Sequence, residues 1–80
     1  MTAAEIYPRL TDIMRDLFDD DDLVAHPALT ADDVKEWDSL THLRLMLTVQ
    51  KAFGVKFSAA EIGKLKNVGD LASLIQAKAT

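Results

Sequence analysis

Apolar residues recur along this chain at spacings of three and four and nowhere at a sustained spacing of two, which commits it to helices rather than strands. Ile6, Leu10, Ile13, Met14, Leu17 and Phe18 form one such stripe, with Arg9, Asp12, Arg15 and Asp16 on the other side. The spacing predicts a first helix over about 3–18. Thr2-Ala3-Ala4-Glu5 resembles a capping box, but Pro8 falls inside the stripe and would remove a backbone hydrogen bond. A kink, or a start nearer Tyr7, is therefore expected. Asp19 to Asp22 end the helix, because four like charges at the negative end of its dipole repel one another and the carbonyls.

Residues 19–37 hold too few periodic apolar positions for a long helix, so they read as a loop. Leu23, Val24, Leu29, Val34 and Trp37 are spaced as anchors that pin it to a core, and Thr30-Ala31-Asp32-Asp33 can cap a single turn within it. A second helix is expected over about 38–53. Leu40, Leu43, Met46, Leu47 and Phe53 mark its main buried stripe, with Leu45 and Val49 widening it, and Gly54 ends it in the left-handed conformation. Ser58-Ala59-Ala60-Glu61 is a capping box that opens a short third helix over about 59–65. Asn67 and Asp70 repeat the device for a fourth helix over about 68–78. The expected fold is all-α: a four-helix bundle, one domain over 1–80, with a long loop between helices 1 and 2 and a short third helix.

Eighty residues make a small domain that buries about 60% of the surface its unfolded chain exposes, which disfavours a deep catalytic cleft. No apolar run approaches the roughly 18 residues of a membrane span, and the N-terminus lacks the order of a signal peptide, so a cytoplasmic protein is expected. The length, opening on Met1, suggests a discrete protein. With no cysteine, His26 and His42 cannot complete a zinc site, and no metal is expected. Nor do Asp19 to Asp22 make a calcium loop, since the glycine and glutamate it requires are missing. Charge divides sharply at Ser39. Residues 1–38 carry eleven acids against three bases, a net of −8, whereas residues 39–80 carry six bases against two acids, a net of +4. An acidic half and the lack of a clustered basic stripe argue against nucleic acid and leave proteins as the partners.

The stretch Trp37-Asp38-Ser39-Leu40 sets one serine hydroxyl at the start of the second helix. By itself such a serine is most commonly an N-cap. Asp38 competes for that task, which leaves Ser39 facing outward. A hydrolase would need an oriented histidine and an oxyanion hole; the Gly-x-Ser-x-Gly setting is missing, and His42, three residues on, forms no triad by spacing. Trp37 reads as a loop anchor. Thr41, His42, Arg44, Gln50 and Lys51 read as the polar face of the helix, with Arg44 the one best placed for recognition.

Asp38-Ser39-Leu40, followed in register by Leu43, Met46, Leu47, Phe53, Val55, Phe57, Glu61, Ile62, Leu65, Val68, Asp70, Leu71 and Ile75, resembles the acyl carrier and peptidyl carrier protein family. The likeness runs from Val34 through Ile75, and the first helix agrees in length and period. It implies an acyl-carrier-type bundle with no activity of its own. It implies that Ser39 receives 4′-phosphopantetheine through a phosphodiester, installed by a separate phosphopantetheinyl transferase that contacts Asp38. The arm's thiol would carry an acyl or aminoacyl group as a thioester between a loading ligase and a downstream transferase or synthase, with the carrier a monomer. Leu40, on the expected buried stripe, is a position that touches partners in such proteins. Many carriers of fatty-acid synthesis display carboxylates along this helix, and here they are absent, so the resemblance points to a dedicated polyketide, nonribosomal peptide or specialised acyl pathway. The alternative is a small helical protein-binding module without a prosthetic group, in which Asp-Ser-Leu is only a cap.

Overall fold

The computed structural model describes residues 1–79 and folds them into α1 (Ala3–Phe18), α2 (Ser39–Phe53), α3 (Ala59–Gly63) and α4 (Val68–Lys78), with a 3₁₀ turn (Ala31–Asp33) in the long connection. No strand occurs among the described residues. Glu5 turns back to accept a hydrogen bond from the Thr2 backbone N–H at 3.2 Å, and this secures the first turn of α1. The helix consequently runs unbroken through the exposed Pro8 instead of starting nearer Tyr7. It ends where Asp19 takes the left-handed conformation, φ 51°, which aspartate tolerates better than most residues.

The core is a layer of α1 laid against α2 and α4. Ile6, Leu10, Met14 and Phe18 come from α1, Leu45, Met46, Val49 and Phe53 from α2, and Val68, Leu71, Ala72 and Ile75 from α4. Among the described residues no polar or charged side chain is buried with them. Arg9 closes one end, its guanidinium 4.2 Å above the Phe53 ring while it donates to the Ala52 carbonyl.

The buried stripe of α2 is only partly the expected one: Met46 and Phe53 are inside as expected, but its centre lies elsewhere. Leu40, Leu43 and Leu47 are 61%, 55% and 67% exposed, whereas Leu45 and Val49 are fully buried. Eight of the fifteen residues of α2 are apolar and they surround the helix, so their spacing fits two different stripes. Packing against α1 selects the one centred on Leu45 and Val49.

In the long connection Leu23, Ala25, Leu29 and Val34 are buried, and Val24, expected as an anchor, is 56% exposed. The chain is extended there and alternate side chains turn inward. Ala25 N–H donates to Thr11 Oγ1 at 3.0 Å, and Arg15 Nε donates to the Leu23 carbonyl at 2.7 Å. Further on, Val68 N–H donates to the Leu29 carbonyl and Gly69 N–H to the Pro27 carbonyl, at 2.9 and 3.0 Å. Glycine is required at 69, since a Cβ would lie 2.9 Å from the Pro27 oxygen. The helix α3 stops at Gly63, short of Leu65, because Lys64 and Leu65 bond to carbonyls three residues back. A Lys78–Glu61 ion pair at 2.9 Å ties it to α4.

Two substitutions test which face of α2 lies inside. Leu45→Ala is expected to cost about 2–5 kcal/mol, and Leu47→Ala no more than about 0.5 kcal/mol, in urea denaturation followed by circular dichroism. The opposite order would place the leucine stripe in the core.

Candidate functional site

The junction between the long connection and α2 is held by a reciprocal pair of side chains. Asp38 is extended and caps the helix: its Oδ1 accepts from Thr41 N–H at 2.9 Å, and its own N–H donates to Thr41 Oγ1 at 2.8 Å. The Thr41 hydroxyl in turn donates to the Glu36 carbonyl at 2.8 Å, which fixes the chain on the approach to the helix. The bond from the Thr41 backbone N–H holds the Asp38 carboxyl below the ordinary aspartate range. A charged cap is therefore the resting state.

With Asp38 as cap, Ser39 is free. It is the first residue of α2, exposed, and its hydroxyl has no hydrogen-bond partner among the described residues. First-turn N–H groups and the positive end of the helix dipole surround that oxygen with a field that favours an anion, worth about 0.3–1 kcal/mol at an exposed site. Ser39 opens onto a groove of about 580 Å³ whose walls include Trp37, His42, Leu43 and Leu65. Behind it, Trp37, His42, Met46 and Leu71 line a cavity of about 60 Å³.

One pairing was invisible to helical periodicity. Trp37 Nε1 donates to His42 Nδ1 at 3.1 Å, the two rings stack with centroids 6.1 Å apart, and Trp37 packs on Phe18 at 5.8 Å. Thus His42 is half-buried against the groove and not on a solvated face as expected. The only trace in the sequence is an aromatic and a histidine five residues apart across a helix cap. Thr41 and Gln50, also expected on that face, are half-buried too; Gln50 accepts from Phe57 N–H at 2.9 Å and donates to the Met46 carbonyl at 3.1 Å. Arg44 and Lys51 remain exposed.

Arg44 and Lys51 lie on the same side of α2 as Leu40, Leu43 and Leu47, by the 100° per residue of an α-helix. The result is an apolar strip with two cations beside it, starting next to Ser39. No hydrogen bond joins Ser39 to His42, and no group of metal-ligating side chains gathers among the described residues. The geometry leaves Ser39 an exposed hydroxyl with no hydrogen-bonded base beside it among the described residues.

Among solved structures the chain is similar to the holo acyl carrier protein of Geobacter metallireducens, a solution NMR structure. The two share 43% identity over 90% of this chain and 83% of that one, with a TM-score of 0.85. No family model and no curated protein matches the chain.

Acid should loosen the junction in a defined direction. A carboxyl with a depressed folded pKa stabilises the fold fully above its unfolded value, about pH 4, and loses that contribution as the pH falls through the folded value. The melting temperature is expected to decline below about pH 4. The decline should be shallower in Asp38→Asn, whose amide oxygen still accepts from Thr41 N–H but does not titrate. Identical acid profiles for the two proteins would remove Asp38 from the account.

Proposed function

The chain belongs to the acyl carrier protein family, and on that premise we propose that Ser39 is the oxygen to which 4′-phosphopantetheine is attached. The observation that carries this reading is the division of labour at the head of α2. Asp38 takes the cap, and the neighbouring hydroxyl is left exposed, unbonded and at the positive end of a helix. A serine needed for structure would be the cap itself.

The residues fit such a group. An exposed Oγ leaves room for a separate phosphopantetheinyl transferase to reach it, first-turn N–H groups suit a phosphodiester, and the groove beside Ser39 is mostly apolar. When bound, the group supplies the thiol that a cysteine-free chain lacks, on which an acyl or aminoacyl group rides as a thioester. The chain's own residues position it. Thr41 and Asp38 hold the turn, Trp37 and Phe18 seat the approach to it, and the core of α1, α2 and α4 keeps Ser39 in one place.

Recognition falls to the same side of α2. Asp38 lies beside the modified oxygen, where the transferase must contact it, and Leu40 and Arg44 follow within two turns. Exposed leucines exclude water when covered, and exposed cations set encounter rate and reject partners of the wrong sign. Because α2 holds Arg44 and Lys51 and no acid, its loading ligase and downstream transferase or synthase are expected to present carboxylates around an apolar recess. This favours a dedicated polyketide, nonribosomal peptide or specialised acyl pathway over general fatty-acid synthesis.

Intact mass tests the attachment directly. Coexpression with a broad-specificity phosphopantetheinyl transferase should add the cofactor to the wild type and leave Ser39→Ala unmodified; an unmodified wild type would favour a binding module without a prosthetic group. For recognition, Arg44→Glu is expected to slow transfer to the downstream enzyme several-fold while modification at Ser39 changes little, and high salt should narrow the gap. Equal loss of both steps would remove Arg44 from partner selection.

A further inference from the structure

We infer that His42 is the hydrogen-bond donor of the Ser39 groove, holding a carbonyl oxygen of the tethered chain through its Nε2–H; this rests on the carrier reading above. The argument begins with a tautomer. Indole nitrogen is a donor only, so when Trp37 Nε1 donates to His42 Nδ1 at 3.1 Å, a neutral imidazole must carry its proton on Nε2. Packing against the Trp37 ring, itself on Phe18, fixes the plane of the imidazole, as the hydrogen bond fixes its tautomer. Few groups in the fold are so fully specified.

The second step asks what that proton meets. His42 lines both the open groove that starts at Ser39 and the cavity behind it. Of the acceptors nearby, Asp38 Oδ1 takes Thr41 N–H and Asn67 Oδ1 takes Asp70 N–H at 2.8 Å, and the remaining oxygens of Asp38 and Ser39 on the same groove are not bonded to the imidazole. Lys66, also at the cavity, is a donor. Among the described residues no side chain or carbonyl accepts from Nε2. The imidazole is half-buried and its Nε2 is not sealed from solvent, so this N–H is open to an acceptor that a ligand brings in between mostly apolar walls.

The third step is reach. His42 follows Ser39 by three residues, about 4.5 Å of helix rise, and shares the groove with it. A chain attached at Ser39 and leaning into the groove passes the imidazole before it reaches Met46 or Leu71. Pantetheine carries two amide carbonyls, and a thioester cargo adds a third. All three offer the same acceptor. Holding one of them keeps the thioester against protein and out of water until a partner draws it away.

Imidazole nitrogen resonances test this without any turnover. In the unmodified protein at neutral pH, His42 should show its proton on Nε2 and an accepting Nδ1, with the Trp37 indole N–H shifted by the bond. Conversion to the holo form with coenzyme A, and to a loaded form with acetyl-coenzyme A, separates the two sources of the carbonyl. A displaced Nε2 signal with slower N–H exchange in the holo form assigns an arm amide, and a change confined to the loaded form assigns the thioester. His26, exposed in the loop, should not move in either.

Two variants separate a donor from a mere wall. His42→Phe keeps a ring and removes the donor, and His42→Gln restores an N–H near the Nε2 position. Nuclear Overhauser contacts from the arm to Leu65 should disappear in the first and return in the second, with melting curves confirming that both fold. The inference is overturned by an unmodified protein with the proton on Nδ1, by an Nε2 signal unmoved in both modified forms, or by arm contacts that survive in His42→Phe. A chain that accepts no cofactor at all would instead overturn the carrier reading on which it rests.

Discussion

The bond from Thr41 N–H to the Asp38 carboxylate governs what the rest of this fold is able to offer. Every helix start must satisfy its leading N–H groups, and serine is among the residues that do so best. Had Ser39 been the cap, its oxygen would be committed to the backbone and turned along the chain. Placing the carboxylate one residue earlier moves that duty off the serine and leaves the hydroxyl in solvent. The Thr41 hydroxyl completes the arrangement from the other direction, taking Asp38 N–H and giving to Glu36. Three residues therefore fix where α2 begins, and Ser39 stands free because of it.

A local cap of this kind holds position only if the segments on either side are themselves held. The long connection would otherwise swing, since ordering a residue of loop costs about 1–2 kcal/mol of backbone entropy. It is met at several points: Leu23 and Ala25 are bonded to α1, Leu29 and Pro27 give carbonyls to the first turn of α4, and Trp37 rests on Phe18. The close approach at Gly69 shows how tight this seat is, because no side chain fits beneath the Pro27 carbonyl. The connection is long in sequence but short of freedom, and the head of α2 inherits that order.

How much of this could be read from residues alone depended on whether one alternative satisfied the pattern or two. The stripe Ile6, Leu10, Met14, Phe18 in α1 has charged neighbours on its far side, so only one face can be buried. The capping box at Ser58 and Glu61 is equally unambiguous, and Asn67 caps α4 as its position signals, although Asp70 turns to the Lys66 N–H instead of completing a second box. By contrast α2 is apolar nearly all round. Leu40, Leu43, Leu47 and Leu45, Met46, Val49 are both helical stripes, and the choice between them is made by α1, which local spacing does not contain. Val24 and Ala25 fail for a related reason: in an extended segment, one residue of register decides which side chain is inside. The pairing of Trp37 with His42 crosses a helix cap, where neither the helical nor the extended period applies.

The same ambiguity in α2 carries a physical cost that bears on function. Burying a leucine stabilises by about 1.5–3 kcal/mol, so a helix that turns Leu40, Leu43 and Leu47 to water forgoes several such contributions in a domain whose total stability is on the order of 5–15 kcal/mol. Folding does not explain their presence, because the inner stripe already fills the core with no polar or charged residue buried among the described residues. A contiguous apolar strip on a small protein is informative where isolated exposed leucines are not. Arg44 and Lys51 stand beside it and give it a sign, opposite to that of the acidic residues before Ser39. On the proposal above, what α2 sacrifices in stability it retains as a small recognition surface: three leucines and two cations suit brief encounters better than a lasting complex, whose interfaces bury about 1,200–2,000 Å². A carrier that is released after each encounter, as that proposal has it, requires that balance, and a better-buried helix would lose it.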